Sequence, residues 1–207
     1  MSTSTWFSST MMVLVMTGCA PDLGETLGDG SSTTDAPAEE GGGPQVQHED
    51  EGDGVTVSTI DATDQEQWIY LDLESREQRD PADPADSDEW DLGLRRFAIA
   101  INGGSSGTGG MEAVMLEGTT FDAVTSIPTE GWVTDAPDGD DENEDPDYAL
   151  DEWYDYDFMT HVLTPKPVVY VVRTVEGNAY KVEIGGYYDE AGTSGVFTVR
   201  WAALAPG

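Results

Sequence analysis

The sequence predicts an all-β fold, a single antiparallel β-rich domain. Three observations carry this: apolar residues recur with period two after Gly54, turn-forming residues are frequent, and no 3.6-residue apolar stripe runs beyond a couple of turns. VTVSTI, from Val55, and QWIYLDL, from Gln67, read as the first two strands. In WDLGLRRFAIAI the inward parity of Trp90, Leu92 and Leu94 changes to that of Phe97, Ile99 and Ile101, which predicts a bulge at Arg95-Arg96 that displays two arginines side by side. PVVYVVRTV is a β-branched run, and Glu176-Gly177-Asn178 links it as a hairpin turn to NAYKVEIGGYY. There Tyr180, Val182 and Ile184 alternate with Lys181 and Glu183. The last strand, VFTVRWA, alternates Phe197, Val199 and Trp201 with Thr198 and Arg200.

Charge and the N-terminal segment bound the setting. Lys+Arg number 8 against Asp+Glu 42, a formal net charge of −34, so the basic patch that nucleic acid requires is missing and no nucleic-acid partner is expected. The apolar stretch WFSSTMMVLVMTG, Trp6 to Gly18, is too short to span a bilayer and reads as the core of a signal peptide over residues 1–18. Met16-Thr17-Gly18-Cys19 resembles the bacterial lipobox, which makes Cys19, the one cysteine, the residue expected to be acylated and held in membrane lipid. Residues 19–54 are acidic, rich in Gly, Ser, Thr and Pro, and poor in large apolar side chains; they are expected to form a disordered tether that includes His48. The β domain is expected over 55–207.

The chemistry of the domain is narrowed mainly by what fails. The loop NGGSSGTGG invites a phosphate reading, but its glycine spacing is not that of a dinucleotide loop, and Gly110-Met111 stand where a P-loop needs lysine and a hydroxyl. It therefore reads as a chain reversal. No H-E-x-x-H, C-x-x-C or G-x-S-x-G occurs, and His161 is the one histidine after residue 54, so no enzyme is expected. The segment TDAPDGDDENEDPDYALDE is an acidic insertion; Asp138, Asp140, Asp141 and Asp145 are calcium candidates, because hard cations take oxygen ligands, although the EF-hand spacing is missing.

Taken in order, QWIYLDL, DEWDLGLRRFAIAINGGSSGTGG, FDAVTSIPTEGW, WYDYDF, VYVVRTVEGNAYKVEIGGYY and GVFTVRW resemble the HmuY family of bacterial surface lipoproteins, from about Val55 to Trp201. The resemblance implies an all-β domain on the outer membrane, facing the exterior, that captures haem for iron acquisition in the manner of a haemophore. It also implies two axial side chains, histidine or methionine, one from the loop that is here the acidic insertion and one shortly after Trp153. The insertion contains neither residue type, so the first ligand has no counterpart.

Near the second position stand Met159 and His161, which on a strand would share a face about 6.5 Å apart and could not sandwich one iron. Met111 and Met115, flanking the glycine loop, are the candidate partners, and Arg95, Arg96 and Lys166 are the candidate cations for the propionates. Each also has a structural reading: the methionines as fillers, His161 as a hydrogen-bonded histidine, Arg95 or Arg96 as a partner for Asp91. A haem-carrying protein is an expected partner. The alternative is an acidic surface module that has lost haem and binds a protein or calcium.

Overall fold

The computed structural model describes residues 44–139 and 146–206. Strands β1 (Val46–Gly52) and β2 (Val55–Asp61) open the described chain, followed by β3 (Ile69–Asp72) and β4 (Glu77–Arg79). Next come β5 (Leu92–Arg95), β6 (Ala98–Ile101), β7 (Glu112–Glu117), β8 (Tyr154–Asp157) and β9 (Val162–Pro165). The chain closes with β10 (Val168–Arg173), β11 (Ala179–Tyr188) and β12 (Ser194–Leu204). They form a six-stranded sheet in the order β1-β2-β12-β11-β10-β7, a four-stranded sheet in the order β4-β3-β5-β6, and the separate hairpin β8-β9. All the strand pairings are antiparallel, as expected of an all-β domain.

The main core joins the two sheets. Leu71, Leu92, Leu94, Ile99 and Ile101 from the small sheet share one buried cluster with Ile60, Val182, Phe197, Val199 and Trp201 from the large one. A second cluster holds Phe121, Val124, Val169, Val171, Ala179 and Ala202, with Ile127 and Trp132 packed against it. Val168, Tyr170 and Val172 belong to the first cluster and Val169 and Val171 to the second, so β10 is buried on both faces. This explains why its sequence is a continuous apolar run while β11 and β12 alternate more visibly. The second cluster is fastened by Lys181, whose Nζ donates to the carbonyls of Phe121 at 2.8 Å and Val124 at 3.1 Å. Lys181→Ala is expected to cost about 2 kcal/mol, read as a lower urea midpoint, because it takes a cationic donor from both carbonyls and leaves that of Phe121 only the Val124 amide at 3.3 Å.

Two expectations need correction. The tether does not run to Gly54, because Val46–Gly52 pairs along β2 from Val46↔Ile60 to Gly52↔Val55. Only Val46 and His48 of this edge strand are partly buried, too few for a periodic signal, and backbone pairing sets its course. His48 Nδ1 lies 2.9 Å from Ser58 Oγ, and its ring meets Trp201 edge-on.

The second correction concerns Arg95-Arg96, which form no bulge. Leu92 pairs with Ile101 and Leu94 with Ile99, so β5 and β6 are a hairpin closed by Arg96-Phe97. With two loop residues the partner numbers sum to an odd value, and the inward parity must change across the turn. Arg96 takes the positive φ of 52° that such a turn requires.

Candidate functional site

Hairpin β8-β9 is rooted in aromatic packing and ends in an exposed tip. At its root Trp153 is fully buried, with ring centroids 4.7 Å from Tyr154, 5.5 Å from Tyr187 and 5.3 Å from Phe197. Its Nε1 donates to the Phe97 carbonyl at 2.9 Å, and Leu163 N donates to the Tyr188 hydroxyl at 3.0 Å. The root is therefore fixed to both sheets. Toward the tip, YDYDF places tyrosines at 154 and 156 on one face of β8, and the turn then exposes Phe158 at 80% and Met159 at 89%. Asp157 builds that turn: its Oδ1 accepts from Met159 N at 2.8 Å and its carbonyl accepts from His161 N at 2.8 Å. The Met159 amide first, and then Thr160, hold the Asp157 carboxyl below the ordinary carboxylate range.

His161 sits in the left-handed region at φ 57°, and its Nδ1 meets the Tyr156 hydroxyl at 2.5 Å. Phe158 packs edge-on against Tyr156 with centroids 5.0 Å apart. Met159 and His161 thus lie in a four-residue turn and not on a strand, which replaces the expected shared strand face. Where Nδ1–H donates to Tyr156, the Nε2 lone pair is left for a metal, the arrangement that orients ligating histidines. The aromatic partners Tyr156 and Phe158 escaped the sequence reading, although aromatics at positions 154, 156 and 158 are the signal that could have marked them.

The other candidates are dispersed. Met111 is fully buried in the main core, which is the filler role and leaves no path to a ligand. Met115, on β7 opposite Tyr170, is 37% exposed. Arg96 is not available to a propionate: its guanidinium donates to the Thr63 carbonyl at 2.9 Å, the Ser194 carbonyl at 3.2 Å and the Ser194 hydroxyl at 2.9 Å. Arg95 lies 4.6 Å from the Trp68 ring centroid, and both arginines line one surface hollow with Gln65, Phe97 and Ala98. Lys166 follows β9 and forms an ion pair with Glu152, which raises its pKa.

Nor does Asp91 take an arginine. It accepts from the amides of Leu73 at 2.8 Å and Val175 at 3.1 Å, and burial pushes its carboxyl up to about 7. Of the calcium candidates, Asp138 is exposed, whereas Asp140, Asp141 and Asp145 lie outside the described residues, as does Cys19. Among the described residues the carboxylates brought together are instead Asp72, Glu74 and Asp91, with one oxygen of each within 4.8 Å of the others. These are bonded within the fold: Arg79 donates to Asp72, and Thr174 and Asn178 donate to Glu74.

The glycine loop is filled by its own asparagine. Asn102 Nδ2 donates to the carbonyls of Ser87 and Trp90, both at 2.8 Å, while its Oδ1 accepts from Gly109 N at 2.9 Å. Ser105 N is taken by the Asp135 carbonyl at 2.9 Å. Two amides that a phosphate cradle would need are therefore spent, as a chain reversal implies. Asp135 ties this loop to the acidic insertion, since its carboxylate accepts from Ile101 N at 3.0 Å and Ala149 N at 2.8 Å. Burial pushes that carboxyl up to about 6.

Residues 64–201 match the family described as HmuY protein. Among solved structures, a Bacteroides fragilis protein assigned as a lipoprotein has a TM-score of 0.58 at 20% identity, covering 77% of this chain and 96% of its own. A HmuY-like protein of Bacteroides vulgatus, whose description assigns it haem binding, has a TM-score of 0.58 at 19% identity, with 76% and 96% covered. The apo HmuY analogue of Tannerella forsythia has a TM-score of 0.59 at 17% identity, with 78% and 98% covered. At these identities the likeness carries the fold alone. Among curated proteins none matches the chain.

Proposed function

Because the chain belongs to the HmuY family, we propose that it binds haem at the tip of hairpin β8-β9 and performs no catalysis. The observation that carries this reading is the tip itself: a histidine with one ring nitrogen held by Tyr156, beside Phe158 and Met159, which stand almost fully in solvent. Large apolar side chains are seldom left in water in this way, and a porphyrin supplies the apolar face they lack. His161 Nε2 would hold the iron, because imidazole nitrogen is a strong ligand for haem iron. Phe158 and Met159 would pack on the macrocycle, and Lys166, which follows β9, would leave Glu152 to pair with a propionate.

Of the two methionines that flank the glycine loop, Met115 is the one whose side chain reaches the surface, and it would be the second residue to hold the iron. The description of the Bacteroides vulgatus neighbour supports the choice of ligand. Export through residues 1–18, acylation at Cys19 and display on the outer face of the outer membrane complete the reading. The role there is iron acquisition, with haem received from a haem-carrying protein. The lipoprotein assignment of the Bacteroides fragilis neighbour agrees with it.

Visible spectra of variants test the ligand assignment. His161→Ala is expected to weaken haemin binding by about a hundredfold and to move the Soret band, in line with loss of a direct metal ligand. Met159→Ala leaves the band position unchanged. Met115→Ala should convert a six-coordinate spectrum to a five-coordinate one. An unchanged spectrum in His161→Ala would show that the hairpin is the wrong segment.

A further inference from the structure

The outer face of the four-stranded sheet carries a second feature that the haem reading does not use. Tyr70 pairs with Gly93, and Gly93 with Ala100, so one cross-strand row holds two of the smallest side chains. Tyr70 and Trp68 lean over the gap: a Cβ added at Gly93 would lie 3.1 Å from Tyr70 Cε1 and 3.4 Å from Trp68 Cε3. The hollow is a cavity of about 320 Å³ walled by Trp68, Tyr70, Trp90 and Tyr148, with Asp83 among the lining residues. The rings are inclined to one another: Trp68 and Tyr70 by 21°, Trp68 and Tyr148 by 65°, Tyr70 and Trp90 by 58°.

The chemistry of the wall selects the ligand. An anion is disfavoured by Asp83 and by a net charge of −34. A neutral polyhydroxylated ligand needs donors, and two of those in the wall are spent: Trp90 Nε1 donates to the Pro84 carbonyl at 2.8 Å, and the Ser106 hydroxyl bonds to Asp135. Aromatic rings that share a cavity with a carboxylate suit a cation, whose charge the ring faces attract. Trp68 already engages one, since the Arg95 guanidinium lies 4.6 Å from its centroid without lining the cavity. We propose that this cavity binds a small organic cation of the methylated ammonium class, with the aromatic side chains as its cage and Asp83 as its counter-charge.

Calorimetric titration of the full chain with choline chloride tests this, alongside 3,3-dimethylbutan-1-ol as the uncharged isostere and sodium chloride at matched ionic strength. Saturable choline binding is expected, with the isostere weaker by about tenfold, as loss of a cation–π attraction predicts. Trp68→Ala and Tyr148→Ala should each weaken choline by about tenfold. Asp83 is exposed, so Asp83→Asn keeps the fold and should weaken choline severalfold. Choline-competed sedimentation with phosphatidylcholine vesicles would place the cation on a lipid headgroup, and choline binding without sedimentation would place it on a free solute. No saturation with choline, equal binding of the isostere, or choline binding indifferent to both Trp68→Ala and Asp83→Asn would overturn the proposal. None of these outcomes bears on haem, which is read separately in the visible spectrum.

Discussion

Gly104→Ala is expected to abolish cooperative folding or to lower stability by more than about 4 kcal/mol, the range reached when a substitution forces backbone apart. A Cβ at this position would lie 1.8 Å from the Asp135 carbonyl oxygen and 2.9 Å from Thr134 Cγ2, and the residue has φ 63°. The overlapping atom is backbone that also accepts from Ser105 N and belongs to the residue whose carboxylate holds Ile101 and Ala149. Nothing nearby can yield without opening the junction between the glycine loop and the insertion. Gly110→Ala is the control, because Gly110 has φ 75° and no atom within 4 Å of the added carbon. Its cost should be only the left-handed penalty of about 1 kcal/mol. Urea denaturation of the two variants separates close approach from backbone conformation, and equal costs would refute the overlap argument.

Stability should fall as pH rises from about 4 toward 7. Burial raises the Asp91 carboxyl from 3.8 to about 7 and that of Asp135 from 3.8 to about 6. Between the unfolded and folded values the native state holds a proton that the unfolded chain has released, so unfolding free energy decreases with pH in that window. Each such proton contributes about 1.4 kcal/mol per pH unit across its window. The stabilisation is complete below the unfolded value and is lost as pH approaches the folded one. Relief of the repulsion among 42 acids acts in the same direction, so a variant is needed to isolate the buried group. Asp91→Asn should flatten the slope between pH 4.5 and 7 by about one proton, whatever its absolute stability. A midpoint that rises with pH over this interval would contradict the assignment.

The sequence made the alternating strands legible and left their turns ambiguous. β2, β11 and β12 bury one face regularly, and Val182, Phe197 and Val199 mark that face in the residue pattern. β1 was invisible because its pairing is made by backbone while its side chains are mostly polar. The parity change at Arg95-Arg96 was visible, but a bulge and a two-residue hairpin both produce one, and only the pairing of Leu92 with Ile101 separates them. In the site, His161 and Met159 could be picked out as residue types, whereas their place in a turn depends on Asp157 capping the amides beyond it. Arg96 shows the limit of residue type most plainly. A cation near an expected anion site is consumed by three oxygens on Thr63 and Ser194, of which Ser194 lies 98 residues away in the chain.

Titration of the chain with haemin, followed at the Soret band with oxidised and then reduced iron, tests haem capture at the β8-β9 tip most directly. Capture at the tip should give a saturable, one-to-one red shift of the free-haemin band, with quenching of Trp153 fluorescence at the root of the hairpin. A Soret band that stays at its free position in both oxidation states would contradict it.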